Sequence, residues 1–67
     1  MKNVRFSSQN DSVILATGFE GNQSDAEIAV DEFIEGQQDS EFIGRSGQAP
    51  DYDETTDTFY FGVKNYA

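Results

Sequence analysis

The apolar positions along the chain follow two different periods. In "NVRFSS", Val4 and Phe6 alternate with Arg5 and Ser7, the spacing of a half-buried strand. After the turn residues "QND", the run Ser12 to Phe19 is rich in β-branched and aromatic residues and predicts a second strand, hairpinned to the first. Val13, Leu15, Thr17 and Phe19 would share one of its faces and Ile14 and Ala16 the other, with Gly18 marking a bulge or the strand's end.

The period then changes. Within "SDAEIAVDEFIEG", Ala26, Ala29, Val30, Phe33 and Ile34 repeat at the spacing of a core-facing helical stripe. Ser24 and Glu27 form a capping box at its start, and Gly36 fits a left-handed residue just past its end. Glu41 to Ser46 predicts a short third strand, and Gly47 to Asp57, holding the sole proline and clustered acids, a loop. In "TFYFGVKNY", Phe59, Phe61 and Val63 alternate with Tyr60, Gly62 and Lys64, which predicts a last strand with an apolar inner face. The sum is β-β-α-β-β: an α+β fold of two layers, an antiparallel sheet with one helix packed on one face.

Length sharpens this picture. The 67 residues predict a single domain spanning 1–67, and a chain of that size buries only about 60% of the surface its unfolded form exposes. The absence of cysteine removes disulfides and thiolate metal sites as staples and favours an intracellular setting. "MKNVRFSSQND" contains no apolar signal region, and no apolar run approaches the ~20 residues needed to cross a bilayer. A cytoplasmic protein without membrane contact is expected.

Charge changes the picture most. Thirteen acids stand against four bases, for a formal net charge of −9. Lys2 and Arg5 precede residue 6, and Arg45 and Lys64 follow residue 44, so residues 6–44 contain nine acids and no base. Such a field repels nucleic acid and anionic lipid and attracts basic protein surfaces. Phosphate contacts need Lys and Arg, so direct nucleic-acid binding is disfavoured. Tyr52, Tyr60 and Tyr66 are expected on the outer face of the sheet or in a protein interface.

Candidate chemistry is sparse. With no histidine or cysteine, the Ser–His and Cys–His nucleophiles are missing, and no cofactor loop is present, so neither catalysis nor a cofactor is expected. Asp51, Asp53, Thr55 and Asp57 space oxygens faintly like the start of a calcium loop. The chain lacks that loop's glycine at the sixth place and its glutamate at the twelfth, so a solvated acidic loop is the expectation and no metal site is assigned.

The helix carries the remaining signal. Glu27, Asp31 and Glu35 form a ridge at one-turn steps, and Asp25 and Glu32 form another. Like charges at i, i+4 destabilise a helix, and acids in its last turns oppose the macrodipole. An ordinary solvated face would intersperse lysines. An unneutralised ridge therefore predicts a basic partner, with Asp25, Glu27, Asp31, Glu32, Glu35 and Asp39 as the binding residues.

In size, lack of cysteine, the acid-rich block from Asp11 to Glu41 and the sheet-plus-helix pattern around "SDAEIAVDEFIEG", the chain resembles the small phage-encoded inhibitors of bacterial defence, the anti-CRISPR proteins. That resemblance implies a DNA-mimicking inhibitor acting in the cytoplasm of a bacterial host. Its partner would be a CRISPR effector complex, whose nucleic-acid-binding groove it would occupy and whose recognition of target DNA it would block. The alternative is a small structural or adaptor module that works through protein–protein or homo-oligomeric contacts of its Tyr-rich sheet surface or an edge strand. Either a monomer or a weak homodimer is compatible with these readings.

Overall fold

The structure, a computed structural model, describes residues 2–7, 12–36 and 42–65. Its elements are β1 (Asn3–Phe6), β2 (Val13–Thr17), α1 (Gln23–Glu35), β3 (Phe42–Arg45), β4 (Asp51–Asp53) and β5 (Thr58–Asn65). The protein is α+β: one helix lies on an antiparallel sheet that curls around it. Among the described residues no helix is long and apolar enough to cross a membrane.

β5 organises the sheet. One of its edges pairs with β2, which pairs in turn with β1, and its other edge is shared lengthwise by β4 and β3. The registers Phe6↔Ile14↔Phe61 and Val4↔Ala16↔Phe59 place these six side chains in two rows on the helix side of the sheet. Ile14, Ala16, Phe59 and Phe61 are buried there together with Phe19 and with Ala26 and Val30 of the helix. Phe33 closes the core edge-on against Phe6, with ring centroids 5.0 Å apart. The predicted helical stripe and both predicted strand alternations thus meet in one core.

Four local expectations are corrected. The helix begins two residues early, because Asn22 and not Ser24 is its N-cap: the Asn22 side-chain oxygen accepts from the Asp25 backbone N–H (3.2 Å). The Asn22 N–H is occupied by the Phe19 carbonyl (2.9 Å), so the Asp25 carboxylate instead accepts from the Asn22 side-chain amide (3.1 Å). Gly36 is right-handed (φ −77°), not left-handed; its N–H continues the helical ladder to the Glu32 carbonyl at 3.1 Å.

β2 stops at Thr17, because Gly18 takes φ 91° and redirects the chain. Phe19 thereby joins the buried side with Ile14 and Ala16 instead of extending the Val13, Leu15, Thr17 face. Finally, the stretch predicted as a loop contains a strand. β4 pairs Tyr52 with Phe59, and the two rings pack with centroids 4.4 Å apart, tilted by 36°, while Asp51 and Asp53 face the opposite way.

Candidate functional site

The helix presents its acids in two environments. Counting 100° per residue from the buried centre near Ala26 and Val30 places Ile28 directly opposite the core, and Ile28 is 59% exposed. Asp25, Asp31, Glu32 and Glu35 surround it at spacings of three, four and seven residues, all exposed. Asp25 is drawn into the N-cap, where a carboxylate also complements the positive end of the helix dipole. No basic residue lies in the last turn, so Glu32 and Glu35 have no such compensation.

The flank of the helix differs. Arg45, at the end of β3, pairs across its strand with Val63 and so projects on the helix side of the sheet. Its Nε and Nη2 donate to the two carboxylate oxygens of Asp31 at 2.8 and 3.2 Å, and its Nη1 donates to Glu27 at 2.8 Å. This fork grips two acids one helical turn apart, a geometry suited to guanidinium and not to ammonium. The hydrogen bond to Asp31 is the main reason that the Arg45 pKa moves further above its ordinary value, against the opposing effect of burial.

The expectation of an unneutralised ridge is therefore overturned at two of its three positions. Glu27 and Asp31 share Arg45, whereas Glu35 has no cation beside it among the described residues. Asp25, Glu32 and Glu35 remain outward, and Asp39 lies outside the described residues. Replacing Arg45 with methionine is expected to cost about 1 kcal/mol, since a half-exposed pair is screened and the loss includes renewed repulsion between Glu27 and Asp31. Urea unfolding at low and high salt measures it, and the cost should shrink as salt is added.

A second acidic cluster serves the fold. The Asp57 carboxylate accepts from the backbone N–H groups of Glu20 (2.9 Å) and Gly21 (3.2 Å) and from the Tyr52 hydroxyl (2.9 Å). These donors hold its pKa below the ordinary value, the Glu20 N–H foremost, and the Tyr52 hydroxyl is pushed up in turn. Asp53 accepts from the Thr55 hydroxyl (2.6 Å) and N–H (3.0 Å), which lower its pKa and pin the tight turn. Two of the three carboxylates of the supposed calcium loop, Asp53 and Asp57, are thus directed at protein donors, and Asp51 is exposed. Among the described residues no group of three acids is arranged to hold a metal ion.

Of the tyrosines, Tyr60 stands exposed on the outer sheet face, Tyr52 is tied to Asp57 on the helix side, and Tyr66 lies outside the described residues. Sequence reasoning missed Arg45, Asn22, Asp57 and Ile28 as organisers of this surface. Comparison of the chain with family models, with curated proteins and with solved structures finds no match.

Proposed function

We propose that the protein is an acidic inhibitor that imitates the charge of DNA. The outward face of α1 docks on the basic nucleic-acid-binding groove of a protein partner and excludes that partner's nucleic acid. The observation that carries this reading is Ile28, 59% exposed and ringed by Asp25, Asp31, Glu32 and Glu35. A carboxylate rim steers the surface toward Lys and Arg, and an apolar centre supplies a contact that can be fully desolvated. The Arg45 fork adds to it by holding Asp31 in one orientation before any partner arrives. The phage setting, and a CRISPR effector complex as the partner whose target recognition is blocked, rest on the resemblance to anti-CRISPR proteins. Asp39 stays in the proposed set on its sequence position alone.

The test is a competition between the protein and a labelled target duplex for purified effector complexes, followed by fluorescence anisotropy. Reversing Glu32 and Glu35 together to lysine is expected to weaken inhibition on the order of tenfold or more at low salt. These positions leave the Arg45 fork alone, whereas reversing Asp31 would set a lysine against Arg45. Ile28→Ser should weaken inhibition with little change in its salt dependence. A charge-reversed protein that competes as well as the original would sink the proposal.

A further inference from the structure

Among the described residues, opposite charges balance on the outer face of the sheet. Arg5 pairs across the strands with Leu15, Leu15 with Tyr60, and Tyr60 with Asp51, so a single row runs cation, aliphatic, aromatic, anion. The neighbouring row is Asn3, Thr17, Thr58 and Asp53, and Val13 and Gly62 lie on the other side. Lys64, two residues beyond Gly62 on β5, shares this face by alternation. The strand pairings thus place Arg5 and Lys64 against Asp51 and Asp53 on the outer face, while the helix side holds Asp25, Glu27, Asp31, Glu32, Glu35 and Asp57 against Arg45 and Lys2, the latter over the Phe19 ring. Along the centre, Val13 and Leu15 are only half-buried and Tyr60 is 38% exposed.

We propose that this face binds a second copy of the chain, sheet against sheet, about a two-fold axis that runs parallel to the strands between β2 and β5. That symmetry inverts the order of the row. Arg5 of each copy then meets Asp51 of the other, twice, and Leu15 meets Tyr60 twice at the centre. With strands about 4.8 Å apart, Arg5 and Asp51 of one chain are separated by roughly 14 Å, beyond useful attraction at physiological salt, so their opposite signs gain little within a monomer. Across the two-fold Arg5 of one copy and Asp51 of the other face each other at the rim of the contact. The geometry is that of an aligned sheet sandwich, with facing side chains filling a layer about 10 Å thick.

Because the sheet is curled as a half-barrel, contact is closest along β2 and β5 and the two Arg5–Asp51 pairs sit at its rim, and dissociation in the range of about 10 to 100 μM is expected. Both helices remain on the outside, so a dimer presents two acidic faces pointing in opposite directions. The inference rests on a different surface from the proposed partner-binding helix, and the two can fail separately.

Sedimentation equilibrium of the full chain in 0.15 M salt, from about 1 μM to 1 mM, is the test, with circular dichroism confirming the fold of each variant. The wild type is expected to show a monomer–dimer equilibrium. Arg5→Asp or Asp51→Arg alone should raise the dissociation constant about tenfold or more, by setting like charges face to face. The double variant R5D/D51R, which restores the pairing with signs exchanged, should return to within about threefold of the wild type. E32K/E35K should dimerise like the wild type. A chain that stays monomeric throughout, single reversals without effect, or a double variant no better than the singles would each overturn the proposal.

Discussion

Replacing Phe61 with alanine is expected to leave much of the protein unfolded near 37 °C. Phe61 is 1% exposed and is the largest fully buried side chain among the described residues. It stands at the crossing of the sheet, paired with Ile14 and with its ring 6.0 Å from that of Phe59. Truncating a buried phenylalanine costs about 3–5 kcal/mol, the sum of lost transfer free energy and the cavity left behind. At about 0.05–0.15 kcal/mol per residue, a chain of 67 residues has a total of roughly 3–10 kcal/mol. One substitution can therefore remove most of it.

Urea unfolding followed by circular dichroism measures the loss, with Lys64→Ala on the outer side of the same strand as the control. That change should cost less than about 0.5 kcal/mol. Phe61→Leu should fall between them. Equal losses at Phe61 and Lys64 would mean that β5 does not alternate between core and solvent as described.

Much of the core was legible because it is written in periodicities. The helical stripe of Ala26, Ala29, Val30, Phe33 and Ile34 and the β5 alternation of Phe59, Phe61 and Val63 are properties of local spacing, and the structure buries Ala26, Val30, Phe59 and Phe61 and packs the others, half-buried, against them. β4 was hidden by composition. Asp51, Tyr52 and Asp53 have the period of a strand, but two acids in three residues read as solvent, and only the packing of Tyr52 against Phe59 makes the alternation meaningful. Asn22 was hidden by a competing pattern, since Ser24 with Glu27 is a well-formed capping box two residues later.

Arg45 was hidden by distance. It lies 14 and 18 residues from Asp31 and Glu27, and nothing local indicates that β3 ends beside the helix. Its absence from the base-free block 6–44 made the helix look uncompensated, although the next residue in the chain supplies the counter-charge. Pairing of this kind follows from strand order, which spacing does not encode. What survives is a narrower acidic face, Asp25, Glu32 and Glu35 around Ile28, with a built and partly neutral flank.

Removal of the Asp57 carboxylate is expected to loosen the helix from the sheet, because this one residue joins the last hairpin to the turn that launches α1. Its carbonyl accepts from the Gly18 N–H (3.0 Å), and its carboxylate accepts from Glu20, Gly21 and Tyr52. The backbone around this junction is unusual: Gly18, Glu20, Gly21 and Asp57 all have positive φ, at 91°, 56°, 75° and 49°. Glycine tolerates this conformation without cost and aspartate tolerates it better than alanine does. Asp57→Ala should therefore lose the side-chain acceptor and add backbone strain, with a fall in Tm of several degrees. Asp57→Asn keeps an acceptor and a residue suited to the left-handed region, so its Tm should lie between those of alanine and the wild type.

The pH dependence separates the carboxylate from the backbone effect. The Asp57 pKa is depressed below its ordinary value of 3.8 in the folded protein. The unfolded chain thus takes up the proton first as pH falls, and the stability due to the carboxylate is fully present above that ordinary value and lost as pH falls through the lower folded one. The Tm gap between wild type and Asp57→Asn should be constant from neutral pH down to about 5 and narrow below about 4. The gap between Asp57→Asn and Asp57→Ala, which reflects backbone conformation and a neutral acceptor, should not change with pH. Thermal melts of the three proteins between pH 2 and 7 decide the point, and a wild-type advantage over asparagine that persists undiminished at pH 2 would show that Asp57 does not act through its charge.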